Sequence, residues 1–376
     1  MKKRKIALIF SVVVCLVLAV SVMVIAFNRP AHKHDLKNAK TYHLTNDGIY
    51  YTMTCKDGCK VGFETGMSFT ETLTAMSASD KIVLEEDIVI NNEIEINSVV
   101  TKDELPLPIE LNINLDLNNH TITTNVDETI NDSLFMLNAT YGKITFNIKN
   151  GKIESNDLSY IFRFATANDA QDTIILNTNN VEYKVVGNKA TPLFAHNECS
   201  GIKVNAINSK FIAHKANDLN SDHGVGVYIN SESVFNFTNC YFEGADAIYV
   251  KQGTVDLIGC ELVNVELARR YAGTSENSFK AVGSCLATES YTTSQGTTKF
   301  NITITDCSMI GNYSSTMICL VETGEMGVQL AINSNSSINV ESCRFNHNPE
   351  IGGTHDILHY PNDELPQYEG DGFWVA

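Results

Sequence analysis

The chain has 376 residues, a formal net charge of −17 and 43% hydrophobic residues. This length and apolar content suffice for one large domain with its own core. The acidic balance argues against a protein that grips nucleic acid or another polyanion through a broad basic face.

The N-terminus has the pattern of an export signal. Four basic residues follow Met1, and an uncharged apolar run then extends from Ile6 to Phe27. About twenty apolar residues can cross a bilayer, whereas a cleaved signal has an apolar run of about 7–15 residues. We therefore expect residues 1–27 to be an uncleaved single-pass anchor, with the rest of the chain at the cell surface. Cleavage after the small residues Val24 and Ala26, which would give a secreted protein, is the alternative.

Residues 28–64 are predicted to form a stalk or N-terminal cap. They contain Cys55 and Cys59, which are separated by Lys-Asp-Gly. This turn sequence could close a small disulfide loop, and two free thiols are the alternative. The chain has ten cysteines, of which Cys15 lies in the apolar run. The nine other cysteines are an odd number, so at least one thiol would stay free in an oxidising compartment.

A short helix is predicted directly after this segment. Ser68 and Glu71 have the spacing of a capping box, in which each side chain bonds the other residue's backbone N–H at the helix start. Phe69, Leu73 and Met76 then fall on one helical face. We expect this helix to cover the apolar end of the domain that follows.

An eight-residue phrase recurs along residues 65–346. It alternates apolar and variable positions, then has Asn, Asp, Gly or Ser, then a small or polar residue, and returns to an apolar residue. Eight copies lie at Leu115, Phe146, Leu176, Val204, Phe235, Val255, Ile302 and Ile338. Most are about 20–31 residues apart, which indicates a solenoid whose units bury a core by stacking. The longer interval after Val255 is interpreted as two coils, or as one coil with an insertion at residues 267–281.

Each phrase is predicted to be a strand, a two-residue bend and a second strand. The bend position holds a residue that tolerates left-handed backbone angles or turns, namely Asn119, Asn150, Asn208, Asn239, Gly259, Asp306 or Ser342. We expect these bend side chains to stack as an asparagine ladder. The cysteines that follow four of the bends, Cys240, Cys260, Cys307 and Cys343, are predicted to form one inward column of reduced packing residues. Stacked disulfides or a metal site are the alternatives.

A further series of short strands precedes the phrases, with sequences such as LFML, IFRF, LFAH, VYIN and IYVK. Their first and third positions are mostly apolar, so the second position is predicted to point outward. That position holds Phe135, Phe162, Phe194, Tyr228 and Tyr249. Burial of these rings in the core and a loop that covers outward-facing rings are the two alternatives. If the rings face outward, the predicted binding residues are Phe194, His196, Tyr228, Asn230, Tyr249 and Lys251.

The asparagine bends, the repeat length, the opening helix and the stretch INLDLNNHTIT resemble the pectate-lyase-like superfamily of secreted β-helix proteins. The resemblance covers residues 65–346. It implies an all-β fold, a right-handed parallel β-helix with a short N-terminal capping helix. Residues 347–376 are then a C-terminal cap or tail. It also implies that any functional site lies on a lateral face of the solenoid.

The enzymes of that superfamily suggest weak catalytic candidates. Asp246 resembles one acid of the polygalacturonase motif, although Ala245 replaces its second acid. Asp222 and His223 resemble the histidine motif of the same enzymes, although they precede Asp246 instead of following it. Lys251 is the candidate base by similarity to pectate lyases, which also use Ca²⁺.

The sequence therefore predicts a cell-surface or secreted β-helix protein that binds an extracellular glycan or a surface protein. A polysaccharide lyase or glycoside hydrolase is the alternative, and Ca²⁺ is the implied cofactor only in the case of a lyase. No resident metal is predicted otherwise. His355 and His359 have the i, i+4 spacing of a helical metal site, but the segment between Gly353 and Pro361 is too short for us to predict a helix.

Overall fold

A computed structural model describes residues 36–360, apart from residues 57, 103–104, 126–131, 167–172, 188, 197–198, 216–222, 267, 272–278, 283, 291, 294–295, 312–315, 323–335 and 348–354. The predicted anchor at residues 1–27 and the end of the predicted C-terminal cap lie outside the described residues. None of the helices in the described part is long and apolar enough to cross a membrane.

The described residues divide into two compact units. The smaller comprises residues 36–38 and 53–61, and the larger comprises residues 39–52 and 62–360. In the smaller unit Cys55 and Cys59 form a disulfide, with 5.3 Å between their Cα atoms. The predicted stalk is built of strands Leu36–Thr45, Gly48–Cys55 and Lys60–Glu64.

The predicted capping helix, α1, spans Phe69–Ala75. The Ser68 Oγ accepts the Glu71 N–H at 3.2 Å, and the Glu71 carboxylate accepts the Ser68 N–H at 2.7 Å. Leu73 is fully buried in the hydrophobic core, with Met76 beside it and Phe69 packed against it. The capping box and the apolar face are therefore confirmed.

Between residues 81 and 360 the described strands of successive coils pair in parallel and form a β-helix. The pairings follow three columns of strands, which we call sheets A, B and C. Sheet A contains Lys81–Leu84, Glu110–Asp116, Ser200–Ile207, Phe300–Thr305 and Ser337–Glu341. Sheet B contains Ile88–Ile90, Thr121–Thr124, Lys210–Lys215, Tyr241–Gly244, Glu261–Asn264, Ser308–Gly311 and Arg344–His347. Sheet C contains Ile94–Asn97, Ser133–Ala139, Tyr160–Thr166, Lys189–Ala195, Ser284–Ser290, Thr316–Glu322 and His355–Tyr360.

Four long strands turn a corner and belong to two sheets. Lys143–Ser155 and Ile174–Gly187 run from sheet A into sheet B, and His223–Thr238 and Asp246–Ile258 run from sheet C into sheet A. The all-β solenoid is thus confirmed. Its right hand, which the resemblance implies, stays a prediction.

Successive phrases of the repeat lie in register along sheet A. Parallel pairing joins Phe146, Leu176, Val204, Phe235, Val255, Ile302 and Ile338 in one column. The first phrase is displaced from the prediction, because Ile113 and not Leu115 lies opposite Phe146. The bend in that coil is longer, with left-handed angles at both Asn118 and Asn119.

The long interval after Val255 is one coil, since Val255 pairs directly with Ile302. The predicted insertion contains an antiparallel hairpin of Ala268–Tyr271 and Phe279–Val282. Two further antiparallel pairs join Val99–Lys102 to Leu105–Pro108 and Thr292–Thr293 to Gly296–Thr297.

The bend prediction is confirmed at every position named. The angle φ is 66° at Asn119, 57° at Asn150, 51° at Asn208, 52° at Asn239, 62° at Gly259, 55° at Asp306 and 57° at Ser342. The predicted ladder of bend side chains is only fragmentary. Among the bends, Asn180 donates to Asn150 at 3.4 Å, and Asn150 donates instead to Asp116. Gly259, Asp306 and Ser342 have no side-chain amide with which to continue such a ladder.

The cysteine column faces inward and is reduced. Cys240, Cys260 and Cys307 are buried free thiols, and Cys343 is half-buried. The backbone N–H of Cys240 donates to the Sγ of Cys260 at 3.4 Å, and that of Cys260 donates to the Sγ of Cys307 at 3.3 Å. The prediction of an inward column of thiols is confirmed, with its last member partly exposed.

Thiol alkylation should distinguish the members of this column. The contact between Cys240 and Cys260 lowers the pKa of Cys240 and raises the pKa of Cys260 to about 12. Since both are buried, access to the thiol and not its acidity separates them from half-buried Cys343. We expect the folded protein to be labelled at Cys343, and Cys240, Cys260 and Cys307 to be labelled only in denaturant. Mass spectrometry of the labelled peptides measures this, and rapid labelling of all four sites before unfolding would contradict it.

Candidate functional site

The side chains of sheet C alternate between the core and the outside. Phe135 and Phe162 are fully buried, with 5.3 Å between their ring centroids. The register pairs Phe162 with Leu193 and Arg163 with Phe194. The outward prediction is therefore wrong for Phe135 and Phe162. Each follows another buried apolar residue at a corner of the coil, so the apolar alternation of the sequence did not define the outward position there.

The outward prediction holds for the later coils, where aromatic rings form one column. Phe194 pairs with Tyr228, and Tyr228 pairs with Tyr249. The rings of Phe194 and Tyr228 stack at 5.0 Å, and Tyr160 stacks on the other side of Phe194 at 4.3 Å. Tyr249 meets Tyr228 edge-on at 5.3 Å. We call Tyr160, Phe194, Tyr228 and Tyr249 the aromatic strip.

Stacking determines which ring surfaces the strip presents. Phe194 lies nearly parallel to both Tyr160 and Tyr228, at interplanar angles of 20°. Neighbouring rings therefore cover its faces, and its edges are what a ligand can reach. Burial raises the pKa of Tyr160 to about 12, so its hydroxyl stays protonated and able to donate in alkaline solution as well as at neutral pH.

One end of the strip is closed. Tyr249 is only 3% exposed and forms a buried cluster with Val225 and Ala287, against which Tyr228 packs. This cluster is separate from the main core. The Nζ of Lys251 lies 5.3 Å from the centroid of the Tyr249 ring, a distance suited to a cation–π contact.

Four of the predicted binding residues reach the surface in this region. Phe194, His196, Tyr228 and Lys251 are all half-buried. The ring of His196 lies 5.8 Å from that of Phe194. Asn230, by contrast, is only 5% exposed.

The structure describes the side chains of two catalytic candidates, Asp246 and Lys251. Asp246 is 1% exposed and accepts a hydrogen bond from the Ser284 Oγ at 2.9 Å. Asp222 lies outside the described residues, and His223 begins the strand that carries Tyr228. Asp246 and Lys251 share the strand Asp246–Ile258, but the carboxylate contacts Ser284 and is not open to solvent.

The described residues contain no group of three or more His, Cys, Asp or Glu side chains placed to hold a metal ion. His355 and His359 lie on the strand His355–Tyr360. Their i, i+4 spacing, which would place them together on a helix, therefore does not do so here.

The outer face of sheet B carries a ladder of ion pairs. Lys152 contacts Glu154 at 2.7 Å and Glu182 at 3.4 Å, Lys184 contacts Glu154 at 3.3 Å, and Lys210 contacts Glu182 at 3.4 Å. These three lysines and two glutamates compensate most of one another's charge on the surface.

Sequence reasoning missed the most regular polar feature of the molecule. On the outer face of sheet A, each asparagine amide donates to the one in the preceding coil. The distances are 3.0 Å from Asn147 to Asn114, 2.7 Å from Asn177 to Asn147, 2.8 Å from Asn205 to Asn177 and 2.9 Å from Asn236 to Asn205. The signal was present in the phrase, whose second position is Asn in FNIKN, VNAIN and FNFTN.

This amide ladder lines a cleft of about 550 Å³. The lining residues are Ser79, Asp80, Lys81, Asn114, Leu115, Asp116, Asn147, Ile148, Lys149, Asn177, Thr178, Asn179, Asn205 and Ile207. We call this concave surface the asparagine cleft.

Comparisons with known proteins add little to this description. No protein-family profile and no curated protein sequence matches the chain. Among solved structures, the chain is similar to pectate lyase Pel9A with 11% sequence identity, and the match covers 75% of this chain and 73% of that one with a TM-score of 0.29. The parallel β-helix is thus established by the strand registers of this chain itself.

Proposed function

We propose that this protein binds an extracellular glycan along the outer face of sheet C, through the aromatic strip. The observation that carries the proposal is the stacked pair of half-buried rings, Phe194 and Tyr228, which lie 5.0 Å apart and do not belong to the main core. Tyr228 also packs against the separate buried cluster that contains Tyr249. Aromatic side chains gathered on the outside of a fold mark interaction sites more often than idle surface. The export signal that the sequence predicts would put such a surface outside the cell.

The chemistry of the strip suits a glycan better than a purely apolar partner. Tyrosine hydroxyls donate and accept hydrogen bonds, and ring edges, which carry the positive end of the ring quadrupole, suit contact with the oxygen atoms of sugars. Lys251 places a cation beside Tyr249, which would serve an occasional carboxylate on the glycan. Because stacking covers the ring faces, we expect broad and weak binding through edges and hydroxyls.

A polysaccharide lyase or glycoside hydrolase is the second function that the sequence raised. It would require Asp246 to leave its contact with Ser284 and reach the substrate. Release of unsaturated products from polygalacturonate in the presence of Ca²⁺ would favour the lyase. Binding without product formation favours the proposed binding protein.

A matched pair of tyrosine variants tests the strip. Tyr228→Ala is expected to weaken retention on an array of plant and bacterial polysaccharides about tenfold, because it removes a ring and a hydroxyl worth roughly 1–2 kcal/mol of contact. Tyr141→Ala is the control, since Tyr141 is 58% exposed and lies outside the strip. Equal losses in both variants, or no retention of any polysaccharide by the full chain, would overturn the proposal.

A further inference from the structure

We infer that the asparagine cleft is a second binding site, one that takes a neutral linear polysaccharide lying along the solenoid axis. This site is on sheet A and does not depend on the aromatic strip of sheet C. The inference rests on the amides of the cleft, on its charge, on its closed end and apolar edge, and on the pairing of the backbone beneath it.

The amides of the ladder retain hydrogen-bonding capacity. A primary amide has two N–H donors and two acceptor lone pairs. The ladder uses one N–H and one lone pair of Asn177 and of Asn205, so a donor and an acceptor position remain at these rungs. Because adjacent parallel strands are about 4.8 Å apart, the rungs repeat at that interval. A polymer with hydroxyl groups at regular intervals presents matching partners.

The ladder is also fixed in orientation before any ligand arrives. Each interior amide is held by one neighbour above and one below, and aligned hydrogen bonds polarise one another. A preorganised row of amides loses little conformational entropy on binding, which favours affinity.

The charge of the cleft favours a neutral ligand. The carboxylate of Asp116 lies 3.1 Å from the Nζ of Lys149, so these two charges neutralise each other. Asp80 is 4% exposed and accepts the backbone N–H groups of Lys40 and Ser77, while Lys81 adds one cation at the same end. The lining thus has two acids and two bases, and a neutral chain fits it better than a polyuronate.

The cleft has a defined end and an apolar edge. The Nδ2 of Asn114 donates to the carbonyl oxygen of Asp80 at 2.9 Å, so the ladder ends at the segment through which the chain enters the solenoid. Ile207 lines the cleft and is 45% exposed. An exposed aliphatic side chain next to a row of amides suits a sugar, which has C–H and O–H groups in close succession.

An extended peptide is the less suitable occupant. Peptides add to sheets through backbone hydrogen bonds at a free edge. Beneath the cleft, the backbone groups of the sheet A strands pair with the coils above and below. The cleft therefore offers side chains rather than a strand edge.

Two isoleucine variants at equivalent positions provide the test. Ile207 and Ile258 occupy the same outward column of sheet A, two coils apart, and are 45% and 49% exposed. Ile207→Asp puts a carboxylate at the edge of the cleft, whereas Ile258→Asp puts the same charge outside it. Both positions are exposed, so both variants should fold.

The probes are neutral hexasaccharides of β-1,4-linked glucose, xylose and mannose, with hexagalacturonate as the charged comparison, titrated against the full chain by calorimetry. We expect at least one neutral hexasaccharide to bind, with its Kd raised about tenfold by Ile207→Asp and unchanged by Ile258→Asp. Asn177→Ala should weaken the same ligand.

Three results would overturn the inference. The first is that no neutral hexasaccharide binds, and the second is that hexagalacturonate binds more tightly than all of them. The third is that binding is lost in Tyr228→Ala but kept in Ile207→Asp, which would assign the glycan to the aromatic strip and leave the proposed function standing. If Ile207→Asp loses hexasaccharide binding and Tyr228→Ala retains it, the result supports the asparagine cleft as a binding site, even if the aromatic strip binds no glycan.

Discussion

Phe162→Ala is expected to lower the free energy of unfolding by about 3–5 kcal/mol, the usual cost of removing a buried aromatic ring. Phe162 is fully buried, and its ring lies 5.3 Å from that of Phe135, 6.0 Å from that of Phe146 and 5.5 Å from that of Tyr183. These contacts join sheets A, B and C across the core, so the cavity left by alanine cannot close by movement of one strand.

Phe194→Ala is the matched comparison in the next coil. Phe194 is half-buried and faces outward, so its loss removes two stacked ring contacts, each worth about 0.5–1.5 kcal/mol, and the tilted contact with His196. It opens no closed cavity. Chemical denaturation followed by circular dichroism measures both variants. If Phe194→Ala lowered the free energy of unfolding as much as Phe162→Ala, both rings would belong to the same core. That result would contradict the assigned orientations.

The architecture was predictable because one phrase encodes both the strand and the bend. Seven copies of the phrase, from Phe146 to Ile338, were aligned correctly, since each bend residue marks the same point of the coil. Left-handed angles at Asn, Gly, Asp and Ser are a local property, so the sequence alone locates them. The longer bend at Asn118 and Asn119 displaced the first copy because its extra residues are not visible as a change in pattern.

The orientation of sheet C was harder to predict for a physical reason. Apolar alternation reports the buried face only where one face is polar. In LFML and IFRF two successive apolar residues are both buried, Leu134 with Phe135 and Ile161 with Phe162. The outward column is defined only by the pairing with the next coil, in which Phe194 lies opposite Arg163.

The asparagine cleft escaped prediction because its residues look ordinary in the sequence. Asn on the polar side of an amphipathic strand normally faces water without further consequence. Its significance arises from stacking, when Asn147, Asn177 and Asn205 come into register and their amides bond one another. A column of one residue type at an outward position, rather than at the bend, is the signal to seek.

A solenoid distributes its stability among neighbouring coils, so its ends are the places where unfolding begins. The first strands, Lys81–Leu84 and Ile88–Ile90, have only four and three residues. The apolar end of this first coil is covered by α1, whose Leu73 is fully buried in the core. The helix therefore acts as a cap, and its removal exposes core side chains rather than a separate surface.

We therefore expect Leu73→Ala to lower the local free energy of unfolding by about 2–5 kcal/mol, with the effect concentrated in the first coil. Because coils interact with their neighbours, hydrogen exchange should accelerate most at residues 81–97 and little at residues 300–311. Thr74→Ala is the control, since Thr74 is exposed in the same helix and alanine has the higher helix propensity. Uniform acceleration along the whole solenoid in Leu73→Ala would mean that the domain unfolds as one cooperative unit, and an effect no larger than that of Thr74→Ala would mean that α1 does not cap the core.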